Sequence, residues 1–382
     1  WVHDNWYHQG IPLTNSSKMG NWWEWEIGTP LQFADLLALM YGELSPQRVQ
    51  EYCAAIEHFC PDPRYRELEW MGGAYHGAQE EGANRVWKCM HAILQGIVAK
   101  DEKRVMLGRD SVNDVFIYVD RVLASGDYDK NNPPADGFYT DGTFIQHGKV
   151  PYNGGYGVDF LNNISGIMYL LGGSKWDVPE ESRKMLCDWV VDSFEPVIYK
   201  GAMMDMFRGR GIASSTAFDR YVGHEAVRGV LKLSDFAPEP YASRFRSMTK
   251  YWISSDMNIR NYYQDASDTA NFTITLAIKR LMEDDNIKPR GPLVLHKQFP
   301  EGDRVVHRTE NYGFGISMSS DRIYRYSCIN DENISGWYTG AGMTTLLTDD
   351  FRQFQPPYWA TQNKNRLPGT TSERREHQAK EG

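Results

Sequence analysis

The feature that most limits the fold of this chain is a change in the spacing of its apolar residues near residue 290. Before it, apolar residues recur at helical spacing, as in "PLQFADLLALMYG". In "LSPQRVQEYCAAIEHFC", Ser45 stands as an N-cap with Pro46 at the first helical position. Further helices are predicted over 83–99, 110–124, 157–172, 179–198, 223–235, 239–254 and 266–283, separated by loops bearing Gly or Pro. Paired helices without a fixed-period repeat read as stacked antiparallel hairpins, an α/α toroid or solenoid. After residue 290, "DRVVHRTENYGFGISMSSDRIYRYSCIN" and "GWYTGAGMTTLLTDD" alternate apolar and polar residues, the pattern of antiparallel sheet. The predicted fold class is therefore α+β and multidomain. Residues 1–285 would form the helical domain and 286–382 the start of an antiparallel sheet domain, with "DDNIKPRGP", 284–292, as linker.

Composition narrows the function. A net charge of −9 on 382 residues argues against nucleic acid, which needs a basic patch. A local Arg and His cluster can still bind anions on an acidic protein. Aromatic residues reach 13%, which suits stacking on flat ligands such as sugars as well as core packing. The 5 cysteines show neither zinc-ligand spacing nor an even disulfide framework. No apolar run of about 18 residues is present, so no membrane partner is expected. The opening "WVHDNWYHQG" carries no leader pattern and reads as a trimmed or mature chain. Triplets at Asn15, Asn163, Asn271 and Asn333 fit N-x-[ST] and favour a secreted, extracellular protein. A monomer without cofactor or metal is expected.

Several stretches hold residues suited to chemistry. "DGTFIQHGKVPYNGGYG", 141–157, sets His147 and Tyr156 on a glycine-rich loop between helices, either as a mere connection or as a catalytic pair. In "NWWEWEIG", Trp22 and Trp23 are adjacent and hard to bury together, so an exposed platform for sugar rings competes with core packing. "EEGANRVW" places Asn84 and Arg85 at a helix start, where Asn84 is either an N-cap or an amide donor to a substrate carboxylate. "DMFRGRGIASS" puts Arg208 and Arg210 around a glycine, an anion clamp or two solvated arginines. Glu332 in "INDENISGWYTGAGM" is a turn carboxylate or one that orients a catalytic Arg or His. Serine-hydrolase, zinc-protease and nucleotide-binding motifs are absent.

Together, "GNWWEWEIGTP", "EGANR", "DGTFIQHGKVPYNGGYG", "MDMFRGRGI", "NYGFGISMSSDRI", "NDENISGWYTGAGM" and "YWATQNKNRLPGTT" resemble polysaccharide lyase family 8, the hyaluronate, chondroitin AC and xanthan lyases, in the family's order over residues 20–371. The resemblance implies an α/α toroid followed by a β-sandwich, and a chain that is the central portion of a longer protein. It implies that Asn84 binds the uronate carboxylate and that His147 and Tyr156 are the catalytic pair. Arg210 would stand beside the tyrosine, Glu332 at the domain junction, and Trp22 and Trp23 in the aromatic patch. Arg85 and Arg208 are further substrate-binding candidates. Where the family often has a second arginine four residues after the first, this chain has Ser214.

The implied reaction is β-elimination at C4 of a uronic acid in hyaluronan or chondroitin. An amide such as Asn84 would stabilise the charge that develops on the carboxylate as the C5 proton leaves. Arg210 and His147 would lower the Tyr156 pKa from about 10 and make a phenolate accessible. Tyr156 would act as acid, and as base where C5–H and the leaving group share a face. His147 would assist, or serve as base for the other epimer. The alternatives are a xanthan lyase and a carbohydrate-binding toroid without activity.

Overall fold

A computed structural model describes residues 1–13, 20–68, 76–256, 272–350, 352–355, 357–371, 373 and 377–380. Asn15 and Asn271 lie outside the described residues. Helices occupy the first three quarters and an antiparallel sheet follows. By contacts the chain divides into two compact units: Trp1–Ile117, Asp127–Pro134 and Gly166–Ser182, then Tyr118–Gly126, Ala135–Ser165 and Arg183–Gly382.

The first unit opens with the short helix α1 (Val2–Asn5). A π-helical turn, Glu24–Gly28, then runs directly into α2 (Thr29–Leu39), followed by α3 (Pro46–Phe59), α4 (Gly82–Ala99) and α5 (Glu102–Asn113). Ser45 caps α3 as expected, its hydroxyl accepting from the Arg48 amide at 3.2 Å with Pro46 next in line. The core joins Tyr7, Trp25, Phe33, Leu37, Ile56 and Phe59. Helices α4 and α5 pack closely because Gly96 and Gly108 lie at the contact: a Cβ would stand 2.7 Å from the Val105 amide in one case and 2.7 Å from the Ile93 side chain in the other.

The single helix predicted over 110–124 is two: α5, begun at residue 102, and α6 (Val119–Ser125). The start was missed because Asp101 is its only signal. That side chain accepts from the amides of Lys103 and Arg104 at 2.9 and 3.3 Å. Beneath the unit lies a charged network that the pattern did not reveal. Glu26 and Lys88, both fully buried, pair at 2.6 Å, and Glu26 also accepts from the Leu68 amide at 2.7 Å. Burial raises the Glu26 pKa while Lys88 pulls it back down.

The second unit holds α6, a three-stranded antiparallel sheet β1 (Gly137–Phe138), β2 (Phe144–Gln146) and β3 (Val150–Pro151), and a hairpin β4 (Ile198–Tyr199) and β5 (Ala202–Met203). Helices α7 (Tyr156–Leu171) and α8 (Glu180–Trp189) are the two in which the division falls. Helix α8 gives way to a π turn and a 3-10 turn, so the predicted helix over 179–198 stops being α-helical after residue 189. Next come α9 (Asp219–Leu233), α10 (Tyr241–Ser255) and α11 (Phe272–Glu283). The sheet β6 (Leu295–Phe299), β7 (Arg304–Arg308), β8 (Gly313–Ser317) and β9 (Met343–Leu347) follows, with the short α12 (Tyr358–Thr361) near the end. Its four strands pair in chain order, all antiparallel, with Phe299 opposite Arg304, Arg304 opposite Ser317 and Ser317 opposite Met343.

The alternation holds in β7 but turns arginines inward. Arg304 and Arg308 are buried on either side of Val306. Their guanidinium groups donate to backbone carbonyls: Arg304 to Met206 and Met318 at 3.1 and 2.6 Å, Arg308 to Pro196 and Ile198 at 3.0 and 2.9 Å. Met206, Pro196 and Ile198 belong to segments before the sheet, so the arginines tie the sheet to the preceding part of the unit. The stretch "DRIYRYSCIN" alternates in sequence but forms turns and a 3-10 turn instead of a strand.

Candidate functional site

In the second unit the Gly-rich stretch makes the β2–β3 connection and then opens α7. Gln146 pairs with Val150, which leaves His147, Gly148 and Lys149 as the turn. His147 is left-handed, at φ 57°. A non-glycine residue there is uncommon and is held only by its surroundings. Asp136 supplies that hold: it accepts from the Gly148 amide at 2.7 Å and from the Gln146 side-chain amide. Asn153, fully buried, pins the next loop by accepting from the Phe144 amide at 3.1 Å and donating to the carbonyls of Gly142 and Ser193.

Tyr156 is the first residue of α7. Its ring meets the His147 ring edge-on at 5.0 Å and the Tyr152 ring edge-on at 5.0 Å. Arg210, on a 3-10 turn over Gly209–Ala213, donates from Nη2 to the Tyr156 hydroxyl at 3.3 Å and from Nε to Glu332 at 3.1 Å. His147, Tyr156, Arg210 and Glu332 are thus brought together from three separate stretches.

The glycines work by close approach, and Gly209 also by a left-handed backbone at φ 51°. A Cβ on Gly155 would lie 2.4 Å from the Tyr152 ring, and one on Gly209 2.3 Å from the same ring. Tyr152 is thus clasped between the two loops that carry Tyr156 and Arg210. Its own pKa is pushed up to about 12 by burial.

The electrostatics correct one expectation. Burial raises the Tyr156 pKa, and Arg210 only partly offsets it, by charge and by its hydrogen bond. The phenol is therefore the resting form. His147 is moved the other way, down to about 4, first by burial and then by the Arg210 charge. Its Nδ1 is buried without a hydrogen-bond partner. At neutral pH the pair is a neutral phenol beside a neutral imidazole.

Two further candidates are structural. Arg208 is only 1% exposed, and its guanidinium donates to Asp205, to the Gly211 carbonyl at 2.6 Å and to the Ala217 carbonyl. Asp205 in turn accepts from the Trp359 indole at 2.9 Å. Arg208 shapes the loop that presents Arg210 and has no free face for a substrate anion. Arg85, 2% exposed, donates to the carbonyls of Glu80 and Ser111 and to Asp114, which ties α4 to α5.

Asn84, Trp22 and Trp23 belong to the first unit. Asn84 is the third residue of α4, whose N-cap is Glu81, so it is not a capping asparagine. It is buried, with Oδ1 lacking a hydrogen-bond partner. Trp22 and Trp23 immediately precede the π turn, and both are half-buried. The Arg66 guanidinium covers the Trp22 ring at 3.2 Å, and Trp23 packs edge-on against Trp87 at 5.5 Å. Neither full burial nor a bare platform describes them.

Sequence reasoning missed Asp136, Asn153 and Tyr152. All three lie in or beside the quoted loop, and a buried asparagine next to Gly-Gly was the available signal. Among the described residues, no group of three or more His, Cys, Asp or Glu could hold a metal ion. No helix among them is long and apolar enough to cross a membrane.

The profile described as "Polysaccharide lyase family 8, N terminal alpha-helical domain" matches residues 4–251. The chain belongs to polysaccharide lyase family 8. The family's super-sandwich domain profile matches residues 294–381. A xanthan lyase of Bacillus sp. (strain GL1) is 35% identical over 97% of this chain and 36% of its own length. A hyaluronate lyase of Thermasporomyces composti is 34% identical over 93% of this chain and 42% of its own length. The structure of Streptomyces coelicolor A3 chondroitin AC lyase in complex with chondroitin sulphate superposes at a TM-score of 0.86, with 30% identity, over 99% of this chain and 48% of that one. The family 8 chain described here thus spans less than half the length of these relatives.

Proposed function

We propose that this chain carries the catalytic part of a lyase that cuts a uronic-acid polymer, hyaluronan or chondroitin, by β-elimination at C4. Residues 1–285 would act as the catalytic helical domain and 286–382 as the start of the sandwich. The observation that carries the reading is the cluster of Tyr156, His147, Arg210 and Glu332: a neutral proton donor, a neutral proton acceptor and a fixed cation in one place.

The C5–H bond breaks, its electron pair forms the C4–C5 double bond, and the C4–O bond breaks with its pair going to the leaving oxygen. Tyr156 gives that oxygen a proton. The C5 proton goes to the Tyr156 phenolate, whose oxygen receives the Arg210 hydrogen bond, where C5–H and the leaving group share a face. It goes to His147 where they do not. Asn84 would donate from its side-chain amide N–H to the carboxylate as charge develops there. Trp22 and Trp23 supply aromatic surface for sugar rings. Because such polymers are too large to enter a cell, the protein is proposed to act outside it, as a monomer.

Incubation of the full-length protein with hyaluronan, chondroitin and xanthan tests the reading. The conjugated unsaturated uronate absorbs in the ultraviolet. Strong signal from hyaluronan or chondroitin is expected. Signal from xanthan alone would shift the substrate to that polymer, and binding without signal from any of the three would leave a carbohydrate-binding protein.

A further inference from the structure

A cavity of about 400 Å³ in the second unit is lined by His147 on one side and by Tyr324, Arg325, Ser327 and Cys328 on the other, with Lys380 among its residues. That volume lies within the ~300–1,000 Å³ range of small-ligand sites. Among the described residues, no carboxylate lines it. The Lys380 charge is taken by Asp331. Some exposed arginines hold acids, Arg322 with Glu301 and Arg352 with Asp350. Arg325 is exposed, and among the described residues its guanidinium has no acceptor, while its backbone carbonyl accepts from Thr339. Beside it the Tyr324 ring is 54% exposed, and Ser327 Oγ is buried without a partner. A half-exposed tyrosine ring with the Lys149 ammonium 5.4 Å from its centroid, a guanidinium without an acceptor among the described residues and an unsatisfied hydroxyl share one cavity that touches His147.

We propose that this cavity is a sugar subsite in which Tyr324 stacks on a ring and Arg325 binds an oxyanion substituent of that ring. The ring would be the hexosamine next to the uronate whose bond is cut, for a sulfate ester, or the next uronate one ring further, for a carboxylate, so the inference rests on the function proposed above. A planar guanidinium matches either a carboxylate or a sulfate ester with two parallel hydrogen bonds, which an ammonium cannot reproduce. The anion stands clear of the elimination itself and contributes binding, not proton transfer.

Kinetics of Arg325→Ala and Arg325→Lys on chondroitin sulfate and on desulfated chondroitin test it, together with calorimetric titration of a chondroitin sulfate tetrasaccharide. In Arg325→Ala, kcat/KM is expected to fall roughly ten- to a hundredfold through KM, the worth of one charge-assisted pair, with Arg325→Lys intermediate. Loss on the sulfated polymer alone identifies the anion as a sulfate ester. Loss on both polymers, with the melting temperature held, identifies it as a carboxylate. A change within about twofold on both polymers, or a fall in kcat with KM constant, overturns the subsite. If the wild-type protein turns over neither polymer, the lyase reading fails by itself. The titration still decides the subsite: weaker tetrasaccharide binding in Arg325→Ala upholds it, and equal binding overturns it.

Discussion

At the scale of single residues, the site rests on two neutral side chains that burial moves in opposite directions. A buried phenol resists losing its proton, and a buried imidazole resists gaining one. His147 is held down to about 4. It therefore stays unprotonated across the window between about 4 and the ordinary value near 6.5, where an exposed histidine would already be charged. The sign for stability follows. The unfolded chain binds a proton at His147 below about 6.5 that the folded chain does not, so the stabilisation is fully present above that pH and is lost as pH falls toward 4. For catalysis the same shift places any His147 limb in the kcat/KM profile near pH 4. An acid limb near 6.5 that vanishes in His147→Ala would contradict it. Asn84 gives a second residue-scale prediction. Since Glu81 and not Asn84 is the N-cap of α4, Asn84→Ala should leave the melting temperature nearly unchanged. Its kcat/KM should drop by about a hundredfold, the worth of one donor to developing charge. Asn84→Asp should be worse, because it sets like charge against the carboxylate. An active Asn84→Asp protein would remove Asn84 from the proposed chemistry.

At the scale of elements, the loop over 205–217 is an internal scaffold for Arg210. Arg208 ties Asp205 to the carbonyls of Gly211 and Ala217, and Trp359 closes on Asp205 from the other side. Arg208→Ala strands a buried carboxylate and should cost about 3 kcal/mol or more in a urea titration. Arg208→Lys should restore only part, since an ammonium cannot reach three acceptors in a plane. A normal unfolding midpoint with only KM raised would return Arg208 to the substrate. Here the limit of sequence reading is plain. Arg208 and Arg210 look alike in "FRGRG", and only the fold buries one and opens the other. Helical spacing was legible wherever a cap or a Gly or Pro marked an end, as at Ser45 and Pro46. It failed at Asp101, where one capping side chain carried the whole signal. Alternation predicted the sheet, but it could not tell that Arg304 and Arg308 point inward, because their partners are distant carbonyls that leave no trace in spacing.

At the scale of the whole molecule, the change of period near residue 290 separates helices from sheet, and both family profiles follow it. The candidate site was legible as residue types because His147, Tyr156 and Arg210 sit in compositionally odd loops. Their charge states were not, since those depend on how deeply the fold buries them. The central claim is that Tyr156 transfers the proton. Its most direct measurement compares the wild-type protein and Tyr156→Phe at saturating hyaluronan or chondroitin, following unsaturated uronate by ultraviolet absorbance and polymer binding by calorimetry. The ring and its contacts with His147 and Tyr152 remain in the variant, and only the hydroxyl is removed. The account predicts that turnover is abolished while polymer affinity is nearly unchanged. A variant that keeps a substantial share of the wild-type rate would contradict it.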